Sequence, residues 1–321
     1  MKLNDYIIPN IVGVDIGCGM LTAKFDRDGM DVKKFDDYVK KNIPSGFNIH
    51  PLNTPCPTVH HSYHLRHIVE YCNKIGMDSD KALHSVGTLG GGNHFIEAGT
   101  DSAGKIYITI HSGSRNFGLR IANYYQDLAK KNLKKYFLQD SYKDLEFLLT
   151  DEPDGQDYLK AVRYGAEYAS LNRHAMLNIL TKFFDCEPVD TIESVHNFIG
   201  RDGIIRKGAT PAREGEMVII PFNMKNGIAL CRGKGSQKYN YSAPHGAGRI
   251  LSRTKAKAQL SVETFKKEMD DAGIYTTTAN SSTLDEAPAA YKDKDLILKN
   301  ISETVEVVDF IKPIYNFKAG E

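Results

Sequence analysis

The sequence lacks a charge imbalance, a long hydrophobic run and a secretory signal, and each absence excludes a class of protein. Its 41 Lys and Arg residues are balanced by 40 Asp and Glu residues, which leaves a net charge of +1. The net charge is therefore too small to attract an anionic ligand to the whole molecule, so any nucleic-acid site must be a local basic patch. No apolar run reaches membrane-spanning length, and the first residues show no signal pattern. We therefore expect a cytoplasmic protein that makes no membrane contact.

Cysteine is also scarce. Five cysteines are scattered without a CxxC pair: Cys18, Cys56, Cys72, Cys186 and Cys231. This spacing excludes a disulfide framework and a structural zinc knuckle. A complete P-loop is missing too, because no GK[ST] follows the glycines at 90–92. In a reducing compartment, a cysteine close to an aspartate is of more interest as a metal ligand.

The hydrophobic pattern predicts an α+β protein. The chain has 321 residues, 41% of them hydrophobic, which is enough to bury a substantial core. We find no repeat and no linker, so we expect one compact domain over residues 1–321, with mixed sheets and surrounding helices. Alternating or β-branched residues predict strands at Lys105–His111, Met217–Ile220 and Thr304–Ile311, the last closed by Pro313. Helical spacing predicts helices at Arg120–Tyr136, Gln156–Phe184 and Ser261–Asp271.

Four of the eleven histidines stand beside turns rich in glycine or small residues, where a side chain is presented to a ligand. They are His94, His111, His196 and His245. One such histidine is weak evidence of function, because packing alone accounts for many of them. Four together are difficult to explain as independent packing accidents.

Asp15 and Cys18 stand three residues apart between glycines that permit a tight turn. They offer a hard oxygen and a soft thiolate, and Cys18 could bridge two ions. A buried cysteine with Asp15 as a cap explains the same residues equally well. A mixed set of Asp, Cys and His suits manganese, zinc or iron, and the spacing does not choose between them.

A second histidine cluster competes with these residues. His60, His61, His64 and His67 lie close together, and three of them share one helical face. The glutamate of an H-E-x-x-H metal motif is missing, so we interpret the cluster as a solvated or partly packed face.

Basic residues beside turns are candidate phosphate contacts. The backbone at Gly246–Gly248 offers N–H groups to an anion. Guanidinium groups suited to phosphate recognition are those of Arg115, Arg206, Arg249 and Arg253. Ordinary surface solvation explains each arginine equally well when it is taken alone.

Several long motifs occur in the order found in one known family. They are GVDIGCGM, GTLGGGNHFIE, HSGSRNFG, HNFI, RKGA, IIP followed by Met224, HGAGRILSRTKAK, DEAPAAYKD and a lysine at 318. From Ile8 to the C-terminus the chain resembles the RtcB RNA ligases. The length of these motifs makes coincidence negligible.

The resemblance implies a two-manganese centre and a histidine nucleophile. The implied ligands are Asp15, Cys18, His94, His111 and His196, with Cys18 bridging the ions. His245 would attack GTP and carry GMP, which then activates an RNA end for ligation. An RNA 3′-phosphate, or a 2′,3′-cyclic phosphate after opening, would thus be joined to a 5′-hydroxyl in tRNA splicing or RNA repair. An archease-like accessory protein is a further implied partner.

The resemblance also implies a guanine nucleotide pocket. Its residues would be Asn93, His94, Phe95, Ile96, Glu97, His196, Asn197, Pro221, Phe222, Asn223, Met224, Gly246, Ala247, Gly248 and Lys318. Glu97 could accept hydrogen bonds from the guanine N–H groups. The four arginines at 115, 206, 249 and 253 would contact RNA.

The chain departs from the family pattern in two regions. The family's upstream Met-Pro-Asp-x-His-x-Gly box has no counterpart here, which we expect to open one wall of the site. The family's Pro-Gly-Ser-Met turn is replaced by Pro221–Met224, and a later serine is replaced by Ile228. A metal-dependent cyclic phosphoesterase and an RNA-end binding module are therefore alternatives to a ligase.

Overall fold

The computed structural model describes residues 1–55, 62–135, 138 and 140–320, without the side chains of residues 62–65. The helices are α1 (Pro9–Val12), α2 (Val32–Asn42), α3 (Ser62–Lys74), α4 (Ser79–His84), α5 (Arg115–Lys135), α6 (Pro153–Phe184), α7 (Arg253–Gln259), α8 (Val262–Asp271) and α9 (Lys294–Ile301). The strands are β1 (Tyr6–Ile7), β2 (Gly19–Asp28), β3 (Phe95–Thr100), β4 (Lys105–Ser112), β5 (Leu148–Leu149), β6 (Asp190–Val195), β7 (Asn197–Ile199), β8 (Ile205–Lys207), β9 (Ala209–Pro211), β10 (Met217–Asn223), β11 (Gly227–Gly233), β12 (Ser242–Pro244) and β13 (Val305–Lys318).

A seven-stranded sheet forms the centre of the molecule, with the strand order β10-β11-β13-β3-β4-β2-β6. The α+β class is confirmed. We expected mixed sheets, but the named strands pair antiparallel in the structure. One isolated parallel bridge joins Tyr275 to Tyr315. The sheet is curved, so its two edge strands meet. The Ile219 N–H of β10 donates to Ser194 Oγ of β6 at 3.3 Å.

The predicted strands are present, and two of them are several residues longer than expected. β4 and β10 contain the predicted segments, although β10 continues through Pro221 to Asn223. The prediction that Pro313 ends the last strand is wrong, because β13 continues to Lys318. The pairing with β3 shifts register between Pro313 and Tyr315, and such an irregularity accommodates a residue that has no N–H to donate.

The predicted helices are also present, and two of them start earlier than expected. α5 begins at Arg115, five residues before the predicted start, and Tyr136 lies outside the described residues. α6 begins at Pro153, since proline suits the first helical position. The Ser261 side chain accepts from the Thr264 N–H and so caps α8.

Helix α6 covers one face of the central sheet. Its residues Met176, Leu180 and Phe184 share a core with Phe25 and Ile108 of the sheet. The rings of Phe25 and Phe184 lie 4.5 Å apart. No helix in the described ranges is both long enough and apolar enough to cross a bilayer.

Candidate functional site

The candidate ligands lie at the ends of neighbouring strands. In an antiparallel sheet, the start of one strand and the end of the next share an edge. Asp15 and Cys18 precede β2, His94 precedes β3, His111 is the penultimate residue of β4 and His196 follows β6. Because these four strands are adjacent in the order β3-β4-β2-β6, the five side chains reach one edge.

The turn that carries Cys18 requires glycine on both sides. Gly17 has φ 75°, and a Cβ there would lie 2.6 Å from the Cα of Ala166. A Cβ on Gly19 would lie 2.7 Å from the Ser194 carbonyl oxygen. The turn can therefore press against α6 and β6, and this contact buries the Cys18 thiol.

The thiol of Cys18 lies at the centre of the cluster. Its Sγ is 3.6 Å from His94 Nε2 and 3.3 Å from His111 Nε2. The Nε2 atoms of His111 and His196 are 3.3 Å apart. On the opposite side, His94 Nε2 is 3.1 Å from Asp15 Oδ2.

These contacts define two groups of potential metal ligands that share one thiol. The first group is Cys18, His111 and His196, and the second is Asp15, Cys18 and His94. Within each group the ligand atoms lie within 4.8 Å of one another. Each group combines imidazole with thiolate, and the second adds a carboxylate oxygen. This donor set fits divalent transition-metal ions, and Cys18 is common to both groups.

The protonation states fit metal binding. Burial holds the pKa values of His111 and His196 well below the usual range, so both rings are neutral at neutral pH. Burial raises the pKa of Asp15, but the hydrogen bond and charge of His94 outweigh it and lower the pKa to about 2. Burial raises the pKa of the Cys18 thiol, so a cation must offset the cost of forming a thiolate there.

Two buried residues of α6 hold the ligand turns in place. The Arg173 guanidinium donates to the Gly17 and Ser112 carbonyl oxygens at 2.9 and 2.8 Å. The Asn172 side chain accepts from the Gly87 N–H at 2.8 Å and donates to the Gly113 carbonyl oxygen at 3.1 Å. α6 therefore links the turns before β2 and β3 to the end of β4.

His245 lies beside this cluster. Its ring centroid is 4.6 Å from that of His196. His245 Nδ1 is 2.7 Å from the Gly208 carbonyl oxygen, to which it donates, and this leaves the lone pair on Nε2. Burial lowers the pKa of His245, so the ring is neutral at neutral pH. The Asn197 Oδ1 accepts from the Gly208 N–H at 3.1 Å and fixes the same turn.

A cavity of 360 Å³ opens next to His245. It is lined by Asn93, Phe95, Glu97, His111, Pro221, Phe222, Asn223, Met224, His245, Gly246, Ala247, Gly248, Arg249, Arg253, Tyr291, Asn316 and Lys318. Most of the residues predicted for the nucleotide pocket are therefore brought together.

Some predicted pocket residues lie elsewhere. His94, His196 and Asn197 belong to the metal side, and Ile96 packs in the hydrophobic core. Ile228, which replaces a family serine, is fully buried opposite Pro221 in the sheet. The Ala247 N–H donates to the Pro221 carbonyl oxygen at 3.0 Å, so it closes the loop instead of facing a phosphate.

Glu97 is the buried acid at one end of the cavity. Asn316 donates to its Oε2 at 2.8 Å, while Oε1 has no hydrogen-bond partner among the described residues. Burial outweighs Asn316 and Lys318 and raises the pKa of Glu97 to about 8. A ligand with N–H donors would satisfy the open oxygen.

The four predicted phosphate contacts differ in exposure. Arg249 and Arg253 line the cavity, where both also contact Glu286. Arg115 lies by the metal side and donates to Thr88 Oγ1 and the Gly46 carbonyl oxygen.

The remaining arginine, Arg206, is only 1% exposed. Its guanidinium donates to Asp202 Oδ2 at 3.0 Å and to Ser242 Oγ at 2.9 Å. The structure therefore does not bring Arg206 to the cavity surface.

The second histidine cluster is only partly described. His60 and His61 lie outside the described residues, as does the side chain of His64. The ring of His67 stacks on Tyr164 at 5.1 Å and lies 3.7 Å from a Glu70 carboxylate oxygen. This packing agrees with the interpretation of a partly packed face.

The sequence reasoning missed several residues of the site, among them Asn172, Arg173, Glu286 and Asn316. A signal existed for the first two. They stand near the buried Tyr168, Ala169 and Met176, so a helical wheel places polar side chains on an apolar face. Glu286 and Asn316 carry no such signal, because their roles depend on residues distant in the chain.

Known proteins resemble this chain along nearly its whole length. The family described as tRNA-splicing ligase RtcB matches residues 1–319. The RNA-splicing ligase RtcB of Escherichia coli strain K12 is 31% identical, over 96% of this chain and 83% of that protein. The tRNA-splicing ligase RtcB of Aeropyrum pernix is 27% identical, over 92% of this chain and 77% of that protein. That of Thermococcus kodakarensis is 27% identical, over 92% and 78%.

Proposed function

Because this chain belongs to the RtcB family of RNA-splicing ligases and is an RNA ligase, we propose that His245 is its nucleophile and that Cys18 bridges two manganese ions. The ligase joins RNA in tRNA splicing or repair. One observation carries the proposal. A neutral imidazole with its Nδ1 occupied lies 4.6 Å, ring to ring, from a member of a buried ligand cluster.

The ions, when bound, supply positive charge that stabilises the phosphates of nucleotide and RNA. Cys18, His111 and His196 would hold one ion, and Asp15, Cys18 and His94 the other. The two ligand sets meet at Cys18, so loss of its thiol removes a ligand from both.

Nucleotide transfer begins at His245 Nε2. Its lone pair attacks the α-phosphorus of GTP, the bond to pyrophosphate breaks, and GMP becomes attached to Nε2. The Gly208 carbonyl oxygen accepts from Nδ1–H throughout and stabilises the positive charge that develops on the ring. Glu97 would recognise guanine through its open oxygen.

Ligation then uses the bound GMP. A 2′,3′-cyclic phosphate is first opened by water to a 3′-phosphate. An oxygen of this 3′-phosphate attacks the phosphorus of GMP, and the bond to Nε2 breaks. The 5′-hydroxyl of the second RNA attacks the activated 3′-phosphate, and GMP leaves as the new phosphodiester forms.

The arginines have different proposed roles. Arg249 and Arg253 at the cavity and Arg115 beside the metal cluster would contact RNA phosphates. Arg206 would instead order the strand that delivers His245, because its guanidinium holds Ser242 at the start of β12. An archease-like accessory protein is proposed from the family resemblance alone, and the cytoplasmic location stays a prediction from the sequence pattern.

The test is covalent labelling. We expect the protein with Mn²⁺ and α-labelled GTP to form an acid-labile, alkali-stable labelled band, and His245→Ala to abolish it. His67→Ala is the matched control and should keep the label, since His67 packs on Tyr164. Opening of a cyclic phosphate without labelling would indicate the phosphoesterase, and RNA binding without either activity the binding module.

A further inference from the structure

Glu286, in the DEAPAAYKD segment, is a buried carboxylate in contact with the nucleotide cavity. It is 1% exposed and accepts hydrogen bonds from four donors. These are Arg249 Nη1 at 2.9 Å, Arg253 Nη1 at 3.1 Å, Tyr291 Oη at 2.6 Å and Lys318 Nζ at 2.8 Å.

Lys318 is the donor whose position affects the base-binding end. It lies opposite Phe95 in the β13–β3 ladder, and Asn316 lies opposite Glu97. Lys318 and Glu97 are thus diagonal neighbours on one face, a separation that a lysine side chain can span. The ammonium nevertheless turns toward Glu286 and lies 4.7 Å from the centroid of the Phe95 ring.

Because the Lys318 ammonium points toward Glu286, it does not occupy the open oxygen of Glu97. Its Oε2 accepts from Asn316, and its Oε1 is buried without a hydrogen-bond partner among the described residues. Burial raises the pKa of Glu97, whereas the positive charge of Lys318 already acts to lower it. A lysine released from Glu286 would turn to Glu97, because an unpaired buried charge is costly.

We propose that Glu286 is a positioning residue for base selection, which holds the Lys318 ammonium away from Glu97 and so keeps Glu97 Oε1 open to the N–H donors of a guanine base. This inference rests on the proposed function, since it concerns the nucleotide that labels His245. Glu286 acts through Lys318 and need not touch the nucleotide.

The charges of the cavity wall support this arrangement. Burial alone would raise the pKa of Glu286, but Lys318, Tyr291 and Arg253 outweigh it and lower the pKa to about 2. Glu286 is therefore the ionised acid that attracts the ammonium.

Removing the charge of Glu286 should impair base discrimination. In Glu286→Gln, Lys318 would pair with Glu97 and occupy the oxygen that guanine needs. The kcat/KM for GTP would fall more than that for ITP, because the base of inosine lacks the 2-amino donor of guanine. Above pH 8, where Glu97 is mostly ionised, a hydrogen bond to a charged acceptor justifies an expected fall of about tenfold in the GTP-to-ITP ratio of kcat/KM.

The experiment measures labelling of the full chain with Mn²⁺ and α-labelled GTP or ITP. Glu286→Gln should raise the KM for GTP and leave the labelling rate at saturation nearly unchanged. Asp285→Asn is the matched control. It removes an adjacent buried charge that contacts Arg253 and Lys257 but not Lys318, so the ratio should stay at the wild-type value.

Two further variants keep the test decisive. In a Glu97→Gln background, Glu286→Gln should change the ratio no further, because its effect passes through Glu97. If Glu286→Gln does not fold, Glu286→Asp makes the same test, since the shorter acid keeps its charge but withdraws from Lys318. The ratio should again fall.

The outcomes separate this inference from the proposed function. A wild-type ratio in a folded Glu286 variant overturns the inference while labelling of the wild type preserves the proposed function. An equal fall in Asp285→Asn also overturns it, because the effect would then be general to buried charge. A wild-type chain that takes no label overturns both.

Discussion

A single carboxyl group, Glu97, illustrates how burial sets chemistry at the scale of one residue. Its pKa of about 8 means that the acid is mostly protonated at pH 7. A protonated carboxyl can donate to adenine N1, whereas a carboxylate accepts from the N–H groups of guanine. The choice of base should therefore depend on the charge of Glu97.

We predict that preference for GTP over ATP rises with pH. The pKa is raised, so the carboxylate that guanine needs appears as the pH rises toward 8. Below that value the ratio of kcat/KM for labelling should increase by up to about tenfold per pH unit. Glu97→Gln is the control and should show a flat ratio between pH 6 and 8. A wild-type ratio that stays flat would contradict this role.

Residues with distinctive chemistry could be found from the sequence, whereas residues that act through others could not. The five candidate ligands and His245 stand at glycine-flanked turns, and this is a local signal. Glu286 acts on Lys318, and Arg173 on Gly17, across 32 and 156 positions of the chain. Such pairs become visible only when the strand order is known.

At the scale of elements, the turn before β2 determines where Cys18 lies. Gly17 combines a positive φ with a close approach to α6. Gly29 has a similar φ of 82° at the other end of β2, but a Cβ there would meet nothing within 4 Å. Comparing alanine substitutions at the two glycines therefore separates the free-energy cost of a left-handed backbone from that of a steric clash.

We predict that Gly17→Ala is much more destabilising than Gly29→Ala. The left-handed backbone costs either variant about 1–2 kcal/mol. Gly17→Ala should cost about 1–3 kcal/mol more, because its Cβ overlaps the backbone of α6. Denaturant unfolding measures both variants, and Gly17→Ala should also weaken manganese binding. Equal destabilisation of the two would contradict the packing of this turn.

The limits of sequence reasoning at this scale are seen in β13. Proline was expected to end the strand at Pro313, as it commonly does at a sheet edge. β13 instead continues in the centre of the sheet, because a register shift accommodates Pro313 and Gly99 lies opposite without a side chain. Asn316 and Lys318 reach the cavity only because the strand continues.

At the scale of the whole molecule, the sheet gathers ligands from segments spread over nearly 200 residues. Burying such a cluster without bound cations costs free energy. The lowered pKa values of His111 and His196 indicate that these rings do not bind protons at neutral pH. Binding of cations to the folded state alone should therefore stabilise the entire domain.

We predict that Mn²⁺ raises the thermal stability through two sites that share Cys18. At a hundredfold excess over Kd, each site adds about 2.7 kcal/mol. His94→Gln should lose about half of this increment, since the group of His111 and His196 remains, and Cys18→Ser should lose most of it. Calorimetry with and without Mn²⁺ measures the increments. Cys72→Ser, at another buried cysteine, should keep the full response.

The most direct measurement is anomalous diffraction at the manganese edge from crystals grown with Mn²⁺. We predict two peaks per chain, both within coordination distance of Cys18 Sγ. One should be held by His111 and His196 and the other by Asp15 and His94, with His245 Nε2 facing the same space. A single peak, or peaks that do not share Cys18, would contradict a metal centre in which one thiol serves two ions.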